Sequence, residues 1–277
     1  MKDSLGDRIK NKYEGITRYF LMGRSYTIIR LDIVAAHTFC KGLEKPFDDD
    51  FISDMNETTK YICSKIMGCK VGYTQSDEIT LILTDFDKIE SEAWFGNNLQ
   101  KLCSVSASMA TSKFNELRFK RWYNNLSKRK IQSNEHSDDR YKEIKNIYFD
   151  SRVFQVPNRS EVFNVLLWRQ NDAVRNSISM VAQSMYSQKE LHGKNTDQMQ
   201  ELAFLKGVNW NDLEAGKKRG RLFTKVTYVN GVNLRNIPFS EIPLGATVRN
   251  KWEPVETQIR FSADKFYDLK GLIPNND

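Results

Sequence analysis

The chain has 277 residues, is 40% hydrophobic and 12% aromatic, and carries a formal net charge of +7. That length suits one large domain, or a core with an intimate extension, and supplies ample apolar material for a core. No apolar run approaches the roughly 20 residues that span a bilayer, and the opening MKDSLGDRIKNKYEG lacks the apolar stretch of a secretory signal, so a soluble, cytoplasmic protein is expected.

Residues 26–32 (YTIIRLD) form an apolar, β-branched run that reads as a buried strand with Asp32 at its C-terminal end. KPFDDD at 45–50 offers a proline turn and an acidic helix start, and Phe51, Ile52, Met55, Ile62 and Ile66 predict an amphipathic helix over 50–68. Residues 70–74 and 79–84 read as two strands with 75–78 at or near the turn between them. A second helix is expected over 91–115, with Leu99, Leu102, Met109, Ala110 and Phe114 on one face. Residues 123–147 are polar and read as a surface excursion or frayed helix, before a fourth strand at 148–156 closed by Pro157. Beyond it, 168–187 reads as helix, Asn230-Gly231 between β-rich flanks signals a hairpin, and 246–261 reads as a loop and a last strand.

Four cysteines without a C-x-x-C pair, and only three histidines, argue against a zinc cluster and for reduced thiols. The positive excess allows a polyanionic partner without requiring one. Basic clusters at 118–122 (RFKRW), 127–130 (SKRK) and 217–221 (KKRGR) read either as solvated surface or as contacts to a nucleic-acid backbone.

The order strand, helix, strand, strand, helix, strand matches the ferredoxin-like split β-α-β pattern. The fold class is therefore α+β: a palm-like core over 1–157, with an antiparallel sheet and two helices, and a C-terminal α/β extension over 158–277 packed on it. In such a sheet the end of the first strand lies beside the hairpin of the second and third, so Asp32, Asp77 and Glu78 converge. Adjacent acids repel one another and resist burial. The plain reading of Asp77 and Glu78 is a solvated turn, and that of Asp32 a strand-end cap. The functional reading is an oxygen-only site for Mg²⁺, which takes one or two carboxylates together with nucleotide phosphates. Two such ions can clamp the attacking and leaving oxygens of a phosphoryl transfer.

Five stretches carry a resemblance: RLD (30–32), KPFD (45–48), YTQSDE (73–78), FDSRVF (149–154) and WRQNDAVRNS (168–177). In this order they resemble the tRNA-His guanylyltransferase superfamily, and more closely its bacterial and phage guanylyltransferase-like branch, over residues 5–262. The resemblance implies a palm-like enzyme with two Mg²⁺ ions that adds nucleotides to the 5′ end of tRNA in the 3′-to-5′ direction, using ATP and GTP, usually as a homotetramer. It implies Asp32, Asp77 and the backbone carbonyl of Ile33 as metal ligands, with Glu78 as the third catalytic acid. It places Ile33, His37, Lys45 and Ser76 near bound nucleotide and Lys101 near the triphosphate. Arg152, Arg175, Asn176, Lys128, Arg129 and Lys130 become candidate RNA contacts. Arg152, Arg169 and Arg175 can equally pair with Asp150 and Asp172 to hold the fold, the role favoured for Arg169.

The chain departs from the family pattern in its first metal loop. Ile33, Val34 and Ala36 stand where the family has glycine, a basic residue and phenylalanine, and Asn97 and Asn98 stand where an arginine is expected. Glycine tolerates φ > 0 and close approach of a phosphate, which β-branched isoleucine resists. The expectation is an active nucleotidyltransferase. Its alternatives are a weakened tRNA- or nucleotide-binding homologue and another palm-fold enzyme such as a cyclase.

Overall fold

The computed structural model describes residues 3–132, 145–229, 232–233, 247–255 and 271–275, with side chains described except at 126–132 and 232–233. A short helix α1 (Ser4–Ile9) leads into β1 (Tyr26–Ile33), and α2 (Ala36–Cys40) and α3 (Asp49–Lys65) follow. The hairpin β2 (Cys69–Gln75) and β3 (Glu78–Leu83), the long helix α4 (Leu99–Gln132) and β4 (Phe149–Val156) complete the expected core pattern. The rest comprises α5 (Arg159–Gln183), α6 (Gln188–Leu191), α7 (Thr196–Leu205), α8 (Ala215–Arg219), β5 (Arg221–Val229), β6 (Val232–Asn233) and β7 (Val248–Pro254).

The strands form one antiparallel sheet in the order β4-β1-β3-β2-β5-β6, with β7 also paired to β5. The first four strands have the ferredoxin-like order, and β5 continues the same sheet through its register Thr74↔Arg221 to Val71↔Thr224. Both faces of β1 are covered, which is why its sequence is an apolar run rather than an alternation. Ile29, Leu31 and Ile33 pack with α3 and α4 side chains around Met55, Ile62 and Phe114, whereas Tyr26 and Ile28 pack with Val162, Phe163 and Leu166 of α5.

Local signals explain most boundaries. Asp48 caps α3, its carboxylate accepting the Phe51 N–H at 2.7 Å, with Asp49 and Asp50 in the first turn against the helix dipole. Gly220 has φ +74°, and a Cβ there would meet the Tyr73 hydroxyl at 2.5 Å, so glycine lets β5 approach β2.

Three expectations change. The second helix begins at Leu99, after a tight turn at Trp94–Asn97, and runs to Gln132, beyond the expected end at 115, so of the two readings of the polar stretch 123–132 takes the helical one. Asn98 ends that turn, its side-chain oxygen accepting the Lys101 N–H at 3.0 Å, while i,i+3 and i,i+4 pairs of Glu116 with Lys113 and Lys120 support the polar face further on. The first helix stops at Lys65, because Gly68 (φ +78°) turns the chain into β2. Glu78 is the first residue of β3 and buried, leaving only Ser76 and Asp77 in the turn. Residues 133–144 of the polar stretch and the Asn230-Gly231 turn lie outside the described residues, although the residues flanking that turn pair as Val229↔Val232.

Phe114 is fully buried, with the rings of Phe39, Phe51 and Phe149 at 5.9–6.2 Å. Phe114→Ala should destabilise the protein by about 3–5 kcal/mol, read as a lowered midpoint in urea unfolding.

Candidate active site

Strand parity decides which side chains meet. Asp32 is the Cα partner of Glu78 on β3 and of Asp150 on β4, so all three carboxylates project from the sheet face that carries α5. Asp77 joins them from the turn, because the Ile33 N–H donates to its carbonyl at 3.2 Å and ties the hairpin tip to the end of β1. Burial pushes the Asp32 carboxyl up to about 6, and the charges of Asp77, Glu78 and Asp150 add to that against an opposing pull from Arg152.

Glu78 has a different environment. Its Oε1 accepts from Arg169 Nε at 2.7 Å, both side chains being 7–8% exposed, and its Oε2 lies 3.8 Å from Arg30 Nε. Thr80 Oγ1 donates to the same Oε1 at 3.3 Å. Burial pushes the Glu78 carboxyl up, and Arg169 is the largest influence holding it down. Arg169 also pairs with Asp172 at 2.6 Å and lies 4.3 Å over the Trp168 ring, so its structural role is realised.

Among the described residues no three His, Cys, Asp or Glu side chains gather as a metal cage, and Glu78 is committed to Arg169. Asp32 and Asp77 still fit Mg²⁺. They are hard oxygen donors that repel one another, and this cation is held by one or two carboxylates and completed by phosphate and water.

Beside Asp77 opens a cavity of about 570 Å³, within the size range of small-molecule sites. Its rim is formed by His37, Lys45, Ser76 and Asp77, and its deeper wall by Gln75, Ser177 and Arg221. Cys40 also lines it, and burial, then Asp77 and Asp48, pushes that thiol up to about 11, keeping it neutral at physiological pH. Arg221 is pulled down to about 10 by burial and is held by the Asn56 side-chain oxygen at 2.6 Å and the Gly216 carbonyl at 3.0 Å.

The structure thus brings together Asp32, Asp77, Glu78 and Ile33, with His37, Lys45, Ser76 and Asn176 around the cavity. Lys101 does not join them. It sits in the first turn of α4, near the opposite end of β1, with its ammonium 5.7 Å over the Phe95 ring. Arg152 and Arg175 are exposed and pair with Asp150 and Asp172 respectively. Lys128, Arg129 and Lys130 continue α4, but their side chains lie outside those described.

The altered loop is accommodated without strain at Ile33. That residue ends β1 in the core, and the left-handed conformation falls on Ala35 (φ 56°) instead. Val34 is 51% exposed. The sequence offers Asp150 only as an ion-pair partner of an arginine, and gives Gln75 and Arg221 no individual role. The spacing of FDSRVF along a strand carried a signal for Asp150, whereas Gln75 and Arg221 depend on the pairing of β2 with β5.

A family model described as tRNAHis guanylyltransferase matches residues 7–157, more than half of the chain. A solved bacterial tRNA(His) guanylyltransferase (Thg1)-like protein in complex with ATP is 37% identical, with a TM-score of 0.77 over 98% of this chain and 99% of its own. A solved protein of the same description in complex with GTP is 37% identical, with a TM-score of 0.71 over 96% of this chain and 97% of its own. An uncharacterized protein of Acanthamoeba polyphaga mimivirus is 28% identical over 98% of this chain and 93% of its own length.

Arg169→Met leaves Glu78 buried without its principal partner and should cost about 3 kcal/mol in chemical unfolding at neutral pH. Without divalent cations, Asp32→Asn should raise the melting temperature. The raised carboxyl destabilises the fold once ionised, so the gain is full above about pH 6 and fades as pH falls toward the ordinary carboxylate range, which a pH series of melts reads directly.

Proposed function

The chain belongs to the tRNAHis guanylyltransferase family and is a nucleotidyltransferase of that type, and from this premise we propose that it adds nucleotides to the 5′ end of tRNA in the 3′-to-5′ direction, with Mg²⁺ and with ATP or GTP as substrates. The observation that carries this reading is the convergence of Asp32, at the end of β1, with Asp77, which lines the cavity. Asp32, Asp77 and the Ile33 carbonyl would hold the metal. When bound, Mg²⁺ supplies the positive charge that aligns an attacking hydroxyl with a phosphate and neutralises the leaving oxygen.

The chain's own residues do the remainder. The cavity takes the nucleotide, with His37, Lys45 and Ser76 at the rim toward its phosphates. Glu78, fixed by Arg169, holds the start of β3 against β1 and so keeps Asp32 and Asp77 in register. The 3′-hydroxyl of the incoming nucleotide attacks the 5′ phosphate of the tRNA, previously activated as an adenylylated end. A phosphodiester forms and AMP leaves. Arg152, Arg175 and Asn176 lie on the α5 side of this site, where a tRNA end would approach. A core over 1–157 with an extension over 158–277, a homotetramer and a cytoplasmic setting belong to the same reading.

The test is an extension assay on tRNA lacking its first 5′ nucleotide, with Mg²⁺, ATP and each labelled nucleoside triphosphate. Template-matched addition is expected, reduced by about 10²-fold or more in Asp77→Ala with an unchanged melting curve. Undiminished addition by Asp77→Ala would remove the metal assignment. Nucleotide binding without addition would favour the binding-protein reading, for which Ile33 in place of glycine and Val34 in place of a basic residue are the motive.

A further inference from the structure

Among the described residues, the deep wall of the cavity contains a polar group that the fold leaves unserved. Gln75 is 4% exposed and lines the cavity, and its Oε1 is buried with no hydrogen-bond partner. Its neighbours on the wall are already engaged. Ser177 Oγ donates to the Val174 carbonyl and receives the Trp210 indole N–H at 3.0 Å, and Arg221 is held by Asn56 and Gly216. A buried amide oxygen without a partner is uncommon, because its desolvation goes uncompensated. Gln75 is held there by the sheet, paired with Glu78 across the hairpin two residues before Asp77. It therefore faces the cavity from the strand end next to Ser76 and Asp77, where the reading above puts the phosphates.

Building on the nucleotide reading above, we infer that Gln75 hydrogen-bonds a ribose hydroxyl of the bound nucleotide and makes the site selective for ribonucleotides over deoxyribonucleotides. Two arguments favour ribose over a base edge. Adenine and guanine present opposite groups at position 6, an amine and a carbonyl, whereas their ribose hydroxyls are identical, and the substrates proposed here are ATP and GTP. A hydroxyl also both donates and accepts, so it satisfies either end of the glutamine amide. A site that relies on such a bond rejects the analogue lacking it, because its own buried group is then left unpaired.

The experiment is equilibrium binding of ATP, 2′-deoxy-ATP and 3′-deoxy-ATP in Mg²⁺ to the wild-type chain, Gln75→Met and Gln75→Ala. The wild type should bind ATP about three- to tenfold more tightly than at least one deoxy analogue. Both variants should lose that preference by weakening ATP alone, so that their affinity for the discriminated analogue stays at the wild-type value. Equal weakening of all three nucleotides, or a preference that survives in Gln75→Met and Gln75→Ala, overturns the assignment of Gln75. Absence of any ATP binding to the wild type overturns the nucleotide reading itself, a result distinct from binding without ribose preference.

Discussion

The ion pair of Glu78 with Arg169 sets the charge balance at the open end of this sheet. Antiparallel pairing sets Glu78 directly beside Asp32, which has Asp150 on its other side, so one sheet face carries three carboxylates in a row. Like charges at cross-strand positions destabilise a sheet. Arg169, reaching down from α5, neutralises the acid of β3 inside the fold and leaves Asp32 as the group that bears the repulsion. The carboxyl of Asp32 is consequently raised, and a cation at the open end would relieve the remaining charge. Similar side chains thus sit in different surroundings: Glu78 is buried against Arg169, whereas Asp32 keeps a raised carboxyl beside Asp77.

The C-terminal part completes the cavity instead of forming a separate lobe beside it. β5 extends the core sheet at β2, Gly220 permits the close approach, and Arg221 closes the floor. Helix α5 packs its first half on the sheet through Val162, Phe163 and Leu166, places Arg169 against Glu78, and carries on past the hairpin to form a wall with Ala173, Ser177 and Met180. One helix therefore supplies core, charge balance and cavity wall in successive turns.

The basic clusters show how charge counts mislead without partners. Arg118 and Arg121 converge on the buried Asp54, and Lys217 pairs with Asp49 at 2.7 Å. Lys218 is buried, its ammonium 5.5 Å over the Trp210 ring. These cations hold helices to one another, so the net charge of +7 does not translate into a free basic surface at 118–122 or 217–221. The stems and guanidinium planes of such residues pack as well as pair.

The four core strands, α3, and the convergence of Asp32 with the Asp77-Glu78 pair were legible in the chain alone, because hydrophobic period and strand order are local properties. The stretches from RLD to WRQNDAVRNS also identified the family. The surroundings of each acid come only from folding. Whether Glu78 faces a metal or Arg169 depends on a residue 91 positions away. Whether Ile33 is strained depends on where the turn places its left-handed residue, which proved to be Ala35. Lys101 was expected near the triphosphate from the family resemblance alone, and it lies in the first turn of α4, near the other end of β1. Gln75 became informative only when β5 and α5 closed over it and engaged the neighbouring polar groups elsewhere. Register, long-range ion pairs and burial are relations between distant segments, and a one-dimensional pattern does not contain them.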